Sequence, residues 1–93
     1  MVKVISLGGS IVAPASGIDP DFLRSLRGTF TAYLEENPDR KLILVVGGGA
    51  LARTYQKAAR VADGGVSDAA LDWVGIWATR VNAQLVRTIL HDL

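Results

Sequence analysis

The stretch Leu42-Ile43-Leu44-Val45-Val46-Gly47-Gly48-Gly49-Ala50-Leu51-Ala52-Arg53 decides how this chain folds. Five apolar residues run straight into three glycines, and a helical pattern follows at once. A continuous apolar run reads as a strand buried on both faces, as in a parallel sheet. Glycines at a strand-to-helix junction let the backbone approach a ligand closely. The free N–H groups of the first helical turn then favour an anion. Three glycines after a buried strand, with Arg53 one turn into the helix, predict a phosphate site across residues 47–53. For any one of these glycines alone, a tight turn that binds nothing is the competing reading.

Working outward, Val2, Val4, Ile5 and Leu7 mark a first strand, and Gly8-Gly9-Ser10 follows it directly. Two strands thus end in glycines. If they are parallel, both glycine turns lie at one edge of the sheet, where open α/β sheets bind ligands. Residues 11–17, with Pro14 and Gly17, read as an irregular loop. Asp19 and Pro20 suit the cap and first position of a helix. Its apolar stripe is Phe22, Leu26, Phe30, Tyr33 and Leu34, and Asn37-Pro38 ends it.

A second helix is expected from about Ala50 to Ala62, with Leu51, Tyr55, Ala58, Ala59 and Ala62 inward and Arg53, Gln56, Lys57 and Arg60 outward. Asp63-Gly64-Gly65 stops it, glycine being free to take a left-handed backbone. Ser67 caps a third helix that runs to about Leu90, with Asp68 favoured in its first turn. Leu71, Val74, Ala78, Val81, Leu85 and Ile89 form one stripe, and Trp73, Ile76 and Trp77 a second. A helix with two apolar stripes contacts two things, its own sheet and another layer or subunit.

At 93 residues the chain is one domain at most. It is 49% hydrophobic with mean hydropathy +0.29. A net charge of +1 gives no bulk electrostatic case for nucleic acid or an acidic membrane. The lack of cysteine excludes disulfides and thiolate metal sites, and fits a reducing, cytoplasmic setting. His91 reads as a solvated residue rather than a ligand, and no metal site is expected. No apolar run has the length of a transmembrane helix, and Met1-Val2-Lys3-Val4-Ile5 does not start a signal peptide. Only two strands are present, and both look central. Two parallel strands do not make a self-sufficient sheet, and their outer edges stay open. The expectation is the N-terminal part of a larger α/β domain, or a sheet completed by another chain.

Three pieces in order now carry a resemblance: Val4-Ile5-Ser6-Leu7-Gly8-Gly9-Ser10, then Val45-Val46-Gly47-Gly48-Gly49 with Ala52-Arg53, then Leu71-Asp72-Trp73-Val74-Gly75-Ile76 and Ala78-Thr79-Arg80-Val81-Asn82-Ala83. Together they resemble the amino acid kinase family, and the last two pieces resemble its archaeal-type uridylate kinases. The resemblance implies a three-layer αβα sandwich with a mostly parallel sheet, of which residues 1–93 would be the acceptor-side part. It implies transfer of the γ-phosphoryl group of ATP, with Mg²⁺, to UMP in pyrimidine nucleotide biosynthesis, by a homo-oligomer. Carried over by motif, Gly8, Gly9, Ser10, Gly49 and Arg53 would lie against the phosphates, with Gly48 and Asp72 against UMP. Phosphoryl transfer needs positioning and charge neutralisation, and glycine-turn N–H groups with a guanidinium supply both. Many members carry a Lys where this chain has Ser6, which leaves Arg53 as the main cationic helper here. Members are about twice this long, and their ATP-base site and catalytic Asp lie in the other half. The 93-residue chain alone is therefore expected not to turn over, and its own catalytic residue stays unassigned.

Two other readings compete. Gly47-x-Gly49-x-x-Ala52 satisfies the dinucleotide fingerprint, but the acidic residues about twenty positions on, Asp68 and Asp72, fall on a helix with no strand before them. A non-catalytic, self-associating or regulatory chain would bury the two tryptophans and the open sheet edges against partners.

Overall fold

The computed structural model describes residues 1–93. Its elements are β1 (Val2–Leu7), α1 (Gly9–Val12), α2 (Pro20–Glu36), β2 (Lys41–Val46), α3 (Gly49–Ala62) and α4 (Asp68–Ile89). The strands pair in parallel, from Val2 opposite Lys41 to Leu7 opposite Val46. Both glycine turns therefore emerge at the same sheet edge, as the two motifs required.

The helix starts follow local chemistry. The Asp19 carboxylate accepts hydrogen bonds from the N–H groups of Asp21 (3.0 Å) and Phe22 (3.3 Å), and the Ser67 hydroxyl accepts from Ala70 N–H at 3.1 Å. Each satisfies donors that no helical carbonyl can reach. The stop after α3 differs from expectation. Gly64 and Gly65 do not take positive φ. Asp63 ends the helix in an extended conformation, and its carboxylate accepts from Gly65 N–H at 2.9 Å. Ile11 and Val12 are not loop either. Gly8 O accepts from both of their N–H groups, which closes the single turn α1 and drives Val12 into the core at 1% exposure.

The core joins Leu7, Val12, Val46 and Val86, with Ile5, Leu26, Leu44, Leu85 and Leu90 around it. Strand alternation puts Ile5 and Leu7, and Leu44 and Val46, on one face of the sheet. Both α2 and α4 cover that face. The other face is bare, with Val2, Val4, Ile43 and Val45 each more than half exposed. This corrects the reading of β2 as buried on both faces: the sheet has one helical layer against it, not two. The accessible surface is 6353 Å², against about 5200 Å² for a compact monomer of this mass. The chain is thus an α/β unit with a parallel sheet, the makings of an incomplete αβα sandwich.

Arg27 ties α2 to the end of α4. Its guanidinium donates to both carboxylate oxygens of Asp92 (2.7 and 3.0 Å) and to Ile89 O (2.7 Å). The hydrogen bonds between Arg27 and Asp92 hold the Asp92 carboxyl below its ordinary value of 3.8 and raise that of Arg27. No helix is long and apolar enough to cross a membrane.

Candidate functional site

The two glycine turns interlock. A Cβ built on Gly9 would fall onto Gly49 N and within 2.5 Å of Gly47 O, and one built on Gly49 would fall onto the backbone of Gly9 and Ser10. Only bare backbone permits this approach. Gly48 is in the right-handed region (φ −81°, ψ −30°), and Gly49 has φ +54°. An alternation of this kind turns successive N–H groups toward one side and forms an anion-binding concavity. Gly48 N–H has no acceptor in the chain. Gly49, Ala50 and Leu51 open α3 and have no intrahelical acceptors. The donors expected of a phosphate loop are present and unspent.

Arg53 lies one turn into α3, exposed, and its guanidinium donates to the Ser10 hydroxyl at 3.1 Å. Gly8, Gly9, Ser10, Gly49 and Arg53 are thus brought together by two chain segments about forty residues apart. Gly48 faces α4: a Cβ there would lie 3.1 Å from the Thr79 hydroxyl and 3.4 Å from Gly75 O. Asp72 stands one turn before Gly75 on the same helical stripe, exposed and outside the three ion pairs of the structure. Helical periodicity aligns Asp72, Gly75, Thr79, Asn82 and Val86; of these, Gly75, Thr79 and Asn82 meet the glycine turn, and Asp72 lies one turn beyond them with no contact to it.

The stripe expected to pack does so at Leu71 (4% exposed), Ala78 (6%) and, against the core, Leu85, but not at Val81. Val81 is 58% exposed, whereas Asn82 is 1% exposed. The Asn82 carboxamide donates to Gly47 O (3.0 Å) and Gly48 O (3.2 Å). On α3, Tyr55 and Ala58 turn outward, and Gln56 is half-buried instead. The Gln56 carboxamide donates to Leu71 O at 2.9 Å and occupies the space that Gly75 leaves open. Spacing alone held a clue to Asn82: small or polar residues recur every three or four positions along one line of an otherwise apolar helix. Tyr55, Trp73, Trp77 and Val81 line an exposed apolar hollow between α3 and α4. Asp68 and Asp72 both lie on α4 rather than at the end of a strand, so the acidic partner of a dinucleotide fingerprint is missing.

The sequence model of the amino acid kinase family matches residues 1–93. The chain belongs to the amino acid kinase family. It is 38% identical over 87 residues to the uridylate kinase of Thermoplasma acidophilum, covering 94% of this chain and 35% of that one. It is 36% identical over 92 residues to the uridylate kinase of Methanococcus aeolicus, covering 99% of this chain and 39% of that one. In three dimensions it matches the crystal structure of uridylate kinase from Archaeoglobus fulgidus with a TM-score of 0.72 and 37% identity, covering 96% of this chain and 37% of that one. The chain thus spans little more than a third of the length of these relatives, less than the half that its motifs implied.

Proposed function

We propose that residues 1–93 are the acceptor-side part of a uridylate kinase, which converts UMP and ATP to UDP and ADP in pyrimidine nucleotide biosynthesis. The observation that carries this reading is the meeting of two glycine turns, backbone against backbone, beside Arg53. In this proposal Gly8, Gly9, Ser10, Gly49 and Arg53 serve the phosphates, and Gly48 and Asp72 serve UMP. The unspent N–H groups hold phosphate oxygens without reorganising. The Arg53 guanidinium neutralises charge that spreads over the transferring group. Gly48 lets the acceptor approach the backbone, and the Asp72 carboxylate accepts from a ribose hydroxyl. No group of three His, Cys, Asp or Glu side chains comes together in the chain, so Mg²⁺ is proposed to arrive with ATP.

The reading further proposes a cytoplasmic homo-oligomer, and that a longer partner segment supplies the ATP-base site and the catalytic Asp. The 93-residue chain then binds UMP without turnover. Titrating its tryptophan fluorescence with UMP, ATP and NAD in turn tests the ligand class: a response to NAD alone would overturn the reading. Steady ADP production by the chain in a coupled assay with UMP, ATP and Mg²⁺ would overturn its inactivity.

The exposed Trp73 and Trp77 favour a second reading, a non-catalytic chain that self-associates through this surface. Sedimentation of the chain with no response to any nucleotide would select it.

A further inference from the structure

We propose that Asn82 is a positioning residue that aims the glycine-turn N–H groups at the phosphate of the acceptor, acting through the carbonyls of Gly47 and Gly48. The proposal rests on the uridylate kinase reading of the site. Asn82 is 1% exposed, and its carboxamide nitrogen donates to Gly47 O at 3.0 Å and to Gly48 O at 3.2 Å. Both neighbours are carbonyl oxygens, which only accept, so chemistry alone assigns the nitrogen to this side.

The consequence follows from peptide geometry. In a trans peptide the C=O of one residue and the N–H of the next point in opposite directions, and every peptide here is trans. Drawing Gly47 O toward α4 therefore turns Gly48 N–H away from α4. Drawing Gly48 O the same way turns Gly49 N–H outward with it. Glycine peptides resist rotation less than any others, so a triple glycine has no intrinsic reason to hold this orientation. Ala52 N–H anchors Gly48 O at 3.1 Å along the helix, but no backbone N–H outside the regular elements reaches Gly47 O. Asn82 is the side chain that holds that first peptide. A Leu of similar size would fill the space and leave the peptide free to turn.

The test is an NMR titration of the ¹⁵N-labelled chain with UMP and, separately, with uridine, on wild type, Asn82→Leu and Asn82→Ser. The wild type is expected to prefer UMP over uridine, with the Gly48 and Gly49 amide resonances following the phosphate. Each folded variant should lose about tenfold or more in UMP affinity, the effect of one misdirected hydrogen bond to a charged group, and keep its uridine affinity. The free-state Gly48 and Gly49 resonances should shift, while those of Gly64 and Gly65 stay in place. A folded variant that still prefers UMP as the wild type does overturns the role of Asn82 alone, and so does an equal loss for UMP and uridine. A wild type that treats UMP and uridine alike overturns the phosphate reading and this proposal with it. If neither variant folds, the wild-type Asn82 side-chain amide decides: protection of its protons from exchange supports the proposal, and rapid exchange of both overturns it.

Discussion

Replacing Gly49 by Ala tests the interlocked turns directly. A Cβ at Gly49 meets the backbone of Gly9 and Ser10, and lies 2.7 Å from Gly9 O. None of these atoms belongs to a flexible side chain, so one of the two turns must move. A left-handed backbone costs a residue with a Cβ about 1–2 kcal/mol, and forcing a methyl group into packed surroundings costs about 1–3 kcal/mol. The sum, about 2–5 kcal/mol, is a large part of the roughly 5–14 kcal/mol that a domain of this size has. At about 4–8 °C per kcal/mol, the melting temperature should fall by at least ~8 °C. Thermal unfolding followed by circular dichroism measures it. Gly47→Ala is the internal control, because a Cβ there meets only ordinary contacts at 3.5 and 3.9 Å. If Gly49→Ala melts with Gly47→Ala, the two turns are not in contact as described.

Gly28 sits inside α2 with nothing within 4 Å of a built Cβ, so Gly28→Ala should stabilise by about 0.5–1 kcal/mol; a lower melting temperature would contradict the account of α2. Arg53→Ala should weaken UMP or inorganic phosphate binding by about 1.5–3 kcal/mol, the range of a charged hydrogen bond. Calorimetry giving unchanged affinity would remove Arg53 from the site. Because Arg27 lowers the folded-state pKa of Asp92, the contribution of that pair is complete above 3.8 and is lost as pH falls through the folded value below it. Wild type should therefore lose stability in that acid range that Asp92→Asn does not lose, and parallel denaturation midpoints for the two would refute the coupling.

Features encoded within a few residues were legible in the sequence. Asp19, Ser67 and the strand-to-glycine junctions act on backbone groups next to them, so their chemistry needs no tertiary context. The family and the shared sheet edge followed from the order of three short motifs. Tertiary contacts were less visible. The apolar run of β2 reports a surface suited to burial, but not what lies against it, and here Ile43 and Val45 face outward. Apolar periodicity chose Tyr55 and Val81 as inward residues, whereas the glycine turn and Gly75 admit Gln56 and Asn82 instead. A buried amide is recognised only through the carbonyls it serves, and those lie 34 and 35 residues away in sequence.

The uncovered sheet face also sets how the chain responds to temperature and denaturant. Only 12 of 93 residues are buried, so unfolding exposes less new apolar surface than chain length implies. Heat capacity change and denaturant slope both follow that area. The heat capacity increment should fall below the usual ~12–15 cal/mol/K per residue, which gives a flat stability curve and a broad unfolding transition. An apolar layer laid over Val2, Val4, Ile43 and Val45 would steepen both slopes together, before any change in catalysis was measured.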